Sequence, residues 1–197
     1  TKTTISDEDE MSVAYLFRDF SGMPKLEQQA LLLSKGKVLD VGCGAGSHSL
    51  YLQNERNLDV TSIDISVNAI EACQLRGLKK AMVQDVMKLD LDSDLHQNGK
   101  YDTILLLMNG IGIAKKKSNL LSFLKNAGEK LTKGGQIICD SSDVKYLYED
   151  EDGSYWMDLN SEYYGNFKFQ MHYKKISGST LITLFQHFSE VRDKINV

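Results

Sequence analysis

At 197 residues, 42% of them hydrophobic, the chain is long enough for one α/β domain with a real core and short for two. A formal charge of −4, with no basic stripe, argues against a nucleic-acid backbone as the main partner and favours small-molecule or protein substrates, a small molecule first. Thr1 to Glu10 is polar and acidic, unlike a signal peptide, and the longest apolar run, Ile104 to Met108, is far too short to span a bilayer. The three cysteines, Cys43, Cys73 and Cys139, contain no CxxC pair and are odd in number, so reduced thiols and a cytoplasmic, soluble protein are expected.

Residues 1 to 10 show no periodicity and read as a mobile arm or as part of a missing N-terminal element. Tyr15, Leu16, Phe17 and Phe20 then give Met11 to Phe20 one greasy face, which predicts a short helix; Arg18 within it reads as a solvated helix-face residue. Pro24 fits the first turn of a second helix, and Leu26, Ala30 and Leu33 follow at i, i+4 and i+7, the face expected to pack on a sheet before Gly36 ends the helix. Lys37 to Val41 reads as a buried strand that runs into the turn Gly42-Cys43-Gly44-Ala45-Gly46. Glycines at 42, 44 and 46 allow a tight turn and a close backbone approach to a ligand, although such a turn also occurs with no ligand. Position 47, where a dinucleotide fingerprint wants its last glycine, is Ser47, and the Asp40 carboxylate makes a pyrophosphate a poor guest. The same carboxylate suits a ligand carrying positive charge, such as a sulfonium or an ammonium.

Asp40 to Gly46 resembles the first motif of class I S-adenosylmethionine (SAM)-dependent methyltransferases. The resemblance covers about residues 11 to 141 and has its most specific parts at Asp40 to Gly46, Asp64, Asp85 and Lys133 to Asp140; residues 11 to 53 with Leu105 to Gly112 look like a bacterial group of that class. It implies SAM as cofactor and an N-terminal helix closing over it, from which Arg18 would reach a carboxylate. Two alternatives stand beside it, an NAD-type oxidoreductase and a non-catalytic SAM-binding protein.

Ser47 to Glu55 is expected to be the first crossover helix, with His48 in its first turn as either a partly exposed surface histidine, a ligand of the cofactor's carboxylate, or a base. Leu58 to Ile63 forms the second strand and delivers Asp64 eighteen residues after Gly46, which is the length of one helix and one strand. That return places a carboxylate beside the cradle where it can accept ribose hydroxyls, while Ser66 is better placed to cap the next helix. Ala69, Ile70 and Cys73 line that helix, and Lys80 to Val83 is the third strand. In similar methyltransferases an acidic residue after this strand, here Asp85, accepts the adenine amino group, and the next apolar residue, Val86, packs on the ring; a surface aspartate in a loop is the alternative. Residues 88 to 99 carry Asp90, Asp92 and Asp94 without the glycine and glutamate of a calcium loop, so no metal site is expected and the stretch reads as a solvated linker.

Tyr101 to Met108 is apolar on both faces, the mark of a central parallel strand, and ends at Asn109-Gly110-Ile111-Gly112 beside the expected reacting group. Leu120, Leu124, Ala127 and Leu131 predict a further helix, and Lys133-Gly134-Gly135 turns into a fifth strand, Gln136 to Asp140. The repeated strand, helix, strand order predicts a doubly wound, mostly parallel, Rossmann-like α/β sheet. Tyr146, Tyr148, Tyr155, Trp156, Tyr163 and Tyr164 suggest a substrate-covering lid over 142 to 186, or a peripheral packed hairpin. Phe167, Phe169, Met171 and Tyr173 alternate with polar residues, and with Thr180 to Phe185 predict an antiparallel hairpin that is either an accessory lid or the sixth and seventh strands of the sheet. The last residues look weakly helical, and a sheet that stops at its fifth strand would leave an edge open to weak homodimerisation.

The resulting expectation is one methyltransferase domain over 1–197. Asp40, Gly42, Cys43, Gly44, Gly46, Asp64, Ile65, Asp85, Val86 and Met108 are assigned to SAM. Asn109, Asp140 and Tyr164 are assigned to the acceptor. The general base is left open among Asp140, His48 and Tyr164.

Overall fold

The structure is a computed structural model and describes residues 2–3, 10–88, 99–156, 160 and 162–186. Two compact units are distinguished, one of residues 12–110 with 122–139, the other of the remaining segments, 1–11, 111–121 and 140–197.

The first unit holds a five-stranded parallel sheet. Its elements run α1 (Lys25–Leu33), β2 (Lys37–Val41), α2 (Ser47–Asn54), β3 (Asp59–Asp64), α3 (Val67–Leu75), β4 (Ala81–Val83), β5 (Tyr101–Leu106) and β6 (Leu131–Cys139); α4 (Lys117–Glu129) straddles the two units. The spatial order β4-β3-β2-β5-β6 reverses direction at β2, so the ends of β2 and β5 diverge and open a crevice between them. β2 and β5 are buried almost throughout, Val38, Leu39 and Val41 of the one and Ile104, Leu105 and Leu106 of the other included, as expected of central strands. Val38 and Leu105 pack with Leu31 of α1 and Leu52 of α2 in one core cluster. The fifth strand starts earlier than its sequence suggests: it begins at Leu131, and Gly134, at φ +78°, sits where the register against β5 shifts.

Two expectations for the N-terminal half need correction. Val13–Phe17 and Phe20–Gly22 are short 3-10 turns and not one helix, with Tyr15 and Phe17 exposed and Phe20 stacked on Tyr51 at 4.0 Å. α1 buries Glu27, Ala30 and Leu31, whereas Leu26 and Leu33 are 59% and 66% exposed. Hydrophobic spacing pointed to the wrong face because the buried face carries a glutamate.

In the second unit, β7 (Asn166–Gln170) pairs antiparallel with β10 (Leu181–Leu184) on one side and with β1 (Lys2–Thr3) on the other. Residues 2 and 3 are therefore strand and not a free arm. Phe167 and Leu184 are fully buried, and Phe167 meets Phe185 edge-on at 5.3 Å. The alternation ends at Phe169: Met171 and Tyr173 are exposed, and β8 (His172–Tyr173) turns straight back on β9 (Ile176–Ser177). This antiparallel sheet is separate from the parallel one, so residues 167–174 do not pair beside residues 136–140. Residues 89–98 of the stretch 88 to 99 read above as a linker, and the last residues, 187–197, read as weakly helical, lie outside the described residues. Among the described residues no helix is long and apolar enough to cross a membrane.

Candidate active site

The glycine turn is tied to the end of β3. The Gly42 and Cys43 N–H groups both donate to the Ile63 carbonyl, at 2.8 and 3.1 Å, and the Gly44 N–H donates to Asp64 Oδ2 at 3.0 Å. Asp64 Oδ1 accepts from the Ser66 N–H at 2.8 Å, while the Ser66 hydroxyl caps α3 at Ala69, as its position suggested. One carboxylate thus fixes both the cradle and the start of the next helix. Gly44, at φ +54°, has open space where a side chain would sit; Gly46, at φ +80°, would drive a methyl group to 2.7 Å from Leu78 Cδ1 and 2.9 Å from Cys73 Sγ. Ile65, beside Asp64, is 70% exposed. Asp85 accepts from the Met87 N–H at 3.0 Å, Val86 is buried, and Met87 is the exposed apolar side chain at that point.

Asp40 is more enclosed than a strand-mouth carboxylate need be. It is 2% exposed and accepts from the Ser49 hydroxyl at 2.5 Å, and Ser49 in turn accepts from Ser62 at 2.7 Å. Burial pushes its pKa up, with Asp64 adding to the effect, and His48 and the Ser49 hydrogen bond offset this only in part. The negative charge offered to a cation is correspondingly less available than the sequence implied.

His48 is not a surface histidine. It is buried, with Nε2 2.7 Å from Glu27 Oε2, and the same carboxylate oxygen accepts from Arg18 at 2.5 Å. Burial alone would raise the Glu27 pKa, but the hydrogen bonds and charges of His48 and Arg18 outweigh it, and the carboxyl is held below its usual value. Arg18 also lies 3.9 Å over the Tyr15 ring, and its Nε has no hydrogen-bond partner among the described residues. Leu16, Arg18, Asp40, Gly42, Cys43, Gly44, His48, Leu107 and Met108 line one small cavity. Glu27 escaped sequence reading altogether; the available signal was a glutamate at the centre of a face that also carries Ala30 and Leu31.

Met108 and Asn109, directly after β5, both have left-handed backbone, φ 58° and 59°. Two such residues in succession cost of order 1–3 kcal/mol each, strain of the kind that collects at ligand sites. Asp140 and Tyr164 belong to the other unit. The Tyr164 hydroxyl donates to Asp143 Oδ1 at 3.1 Å, and burial, with Tyr163 and Asp143, pushes its pKa far above the ordinary tyrosine value, so it is poorly suited to act as a base. The described residues contain no group of three or more His, Cys, Asp or Glu able to hold a metal.

Residues 23–146 match the family model of the methyltransferase small domain. A crystal structure of a SAM-dependent methyltransferase from Bacteroides fragilis, in complex with S-adenosyl-L-homocysteine (SAH), is 39% identical and superposes with a TM-score of 0.84 over 96% of this chain and 74% of that one. YqeM of Bacillus subtilis (strain 168), provisionally named a methyltransferase, is 28% identical over 141 residues. The ribosomal RNA small subunit methyltransferase C of Pseudoalteromonas translucida is 36% identical over 131. Each match covers 64% of this chain, which spans 55% and 37% of those two proteins. An NAD-type oxidoreductase is set aside by these matches, and the chain belongs to the methyltransferase small-domain family of class I SAM-dependent methyltransferases.

Proposed function

We propose that this chain binds SAM across the carboxyl ends of β2, β3, β4 and β5 and transfers its methyl group to a small-molecule acceptor. The observation that carries the reading is the Gly44 N–H to Asp64 bond, which holds a carboxylate of β3 against an open glycine cradle. Asp64 keeps lone pairs beyond those used by Gly44 and Ser66, enough to accept ribose hydroxyls. Gly42, Cys43, Gly44 and Gly46 admit the amino-acid part of the cofactor, with Asp40 toward its ammonium and the unpartnered Arg18 Nε toward its carboxylate. Ile65, Asp85, Val86 and Met87 provide the edge and faces of an adenine slot, and Met108 and Asn109 border the sulfonium.

The reaction is an in-line displacement at the methyl carbon by an oxygen, nitrogen or carbon nucleophile. A sulfonium is already a good leaving group, so alignment and exclusion of water supply most of the acceleration. A base is needed only where the nucleophile is protonated, and His48, hydrogen-bonded to Glu27 through Nε2, is our candidate for it. The three free cysteines support a cytoplasmic setting. The match to ribosomal RNA methyltransferase C supports a second reading, an RNA acceptor; the −4 charge speaks against it.

Calorimetry with SAM, SAH and NAD on the purified chain tests the cofactor. Micromolar SAM and SAH binding without NAD binding is expected, and the absence of SAM binding would overturn the reading. Methyl release to SAH against a metabolite mixture and against ribosomal RNA then separates a small-molecule acceptor, an RNA acceptor and a non-catalytic binder.

A further inference from the structure

Cys43 and Cys73 come from different elements, the cradle and α3, and their sulfurs lie 3.8 Å apart, both buried. Cys73 Sγ also donates to the Gly44 carbonyl at 3.2 Å. On the other side, the Cβ position of Gly46 lies 2.9 Å from the same sulfur. One thiol therefore fits against two backbone groups of the cradle with no slack. Cys43 lines the small cavity shared with Asp40, Gly44 and His48, so a small solute entering there reaches the Cys43 sulfur, with the fully buried Cys73 sulfur directly behind it.

Bonding requires the sulfurs to close to about 2.05 Å, a shift of less than about 2 Å from contact. We propose that Cys43 and Cys73 are a dithiol that a hydroperoxide oxidises to a disulfide, and that this bond deforms the glycine cradle and expels the cofactor, a regulation of the SAM site that rests on the function proposed above. One sulfur gives up its thiol proton, breaks the peroxide O–O bond and becomes a sulfenic acid, while the other peroxide oxygen leaves as water or alcohol. The other sulfur, 3.8 Å away, then attacks the sulfenic sulfur and gives up its proton, and water leaves. In all, the two thiols lose two protons and two electrons, the S–S bond forms, and the peroxide is reduced.

The bond must move the cradle because neither end is free. Gly42 and Cys43 are held to Ile63, Gly46 packs on Cys73 and Leu78, and the S–H donated to Gly44 disappears. The part of the turn held to β3 runs through Gly44, whose N–H is bonded to Asp64, so the displacement falls on Ala45 and Gly46 at the far side of the cradle.

The test starts from the chain reduced with dithiothreitol and treated with hydrogen peroxide. Intact mass and peptide mapping are expected to show loss of two hydrogens and a Cys43–Cys73 link, with Cys139 outside it. SAH affinity by calorimetry is expected to fall by at least about tenfold and to return on reduction. Cys73→Ser, whose hydroxyl can still donate to Gly44, is expected to bind SAH as the reduced wild type does and to keep that affinity after peroxide; Cys73→Ala serves if the serine variant does not fold. Peroxide that leaves the pair reduced while oxidising Cys139 overturns the proposal, as does a mapped disulfide with unchanged SAH affinity. A reduced protein that never binds SAH overturns the cofactor reading itself and the control of binding with it, while the mapping still decides whether the dithiol oxidises.

Discussion

Glu27 Oε2 stands 2.7 Å from His48 Nε2, joining the first helix to the first turn of the helix that follows the glycine cradle. Arg18 reaches the same oxygen from the segment before α1, so one buried carboxylate holds two cationic or protonatable groups. Removing one member of such a cluster leaves the others desolvated and unmatched, which costs more than the cluster contributes when intact.

Glu27→Gln is therefore expected to lose on the order of 3 kcal/mol of stability, measured by urea denaturation at pH 7. The pH dependence gives an independent check. Because the folded pKa of Glu27 lies below its unfolded value, its stabilisation is present above the unfolded value near 4.5 and is lost as pH falls through the folded one. The gap between wild type and Glu27→Gln should narrow on going from pH 7 to pH 4. A gap that does not change would mean that Glu27 is not held ionised by its partners.

Asp40 behaves in the opposite sense. Its folded pKa is raised, so the native state holds that proton more tightly than the unfolded chain, and stability is lost as pH rises from the ordinary carboxylate value near 3.8 through the folded pKa. Asp40→Asn removes that loss and keeps an oxygen for the Ser49 hydroxyl. Its melting temperature relative to wild type should rise between pH 4 and pH 8, while SAH binding weakens. A variant equally destabilised at every pH would argue that Asp40 is simply a hydrogen-bond acceptor.

Asp64→Ala removes the acceptor of the Gly44 and Ser66 N–H groups as well as the one proposed for the ribose hydroxyls. SAH binding should weaken by about 2 kcal/mol, roughly thirtyfold in Kd. Unchanged affinity by calorimetry would remove Asp64 from the site.

Gly44 and Gly46 should separate binding from folding. Gly44→Ala meets no atom and bears chiefly the left-handed backbone cost of about 1–2 kcal/mol, yet puts a methyl group into the space proposed for cofactor. It should fold and lose SAH affinity. Gly46→Ala collides with Leu78 and Cys73 and should lower the melting temperature further. A Gly44→Ala protein with wild-type SAH affinity would show that the cradle does not face the ligand.

The order of strands and helices through residue 140, the glycine turn and the return of Asp64 to it were legible in the sequence alone, because periodicity, chain length and glycine spacing are local properties. The same local rules misplaced the buried face of α1 and predicted a single helix over residues 11 to 20. Burial there is decided by Arg18 and His48, partners nine and twenty-one residues from Glu27. Only the tertiary structure could turn His48 inward, enclose Asp40 enough to raise its pKa, bring Cys43 against Cys73, and assign residues 166–170 and 181–184 to a sheet with Lys2–Thr3. Each of these depends on desolvation or on contact between groups distant along the chain, which no residue's own chemistry or near neighbours specify.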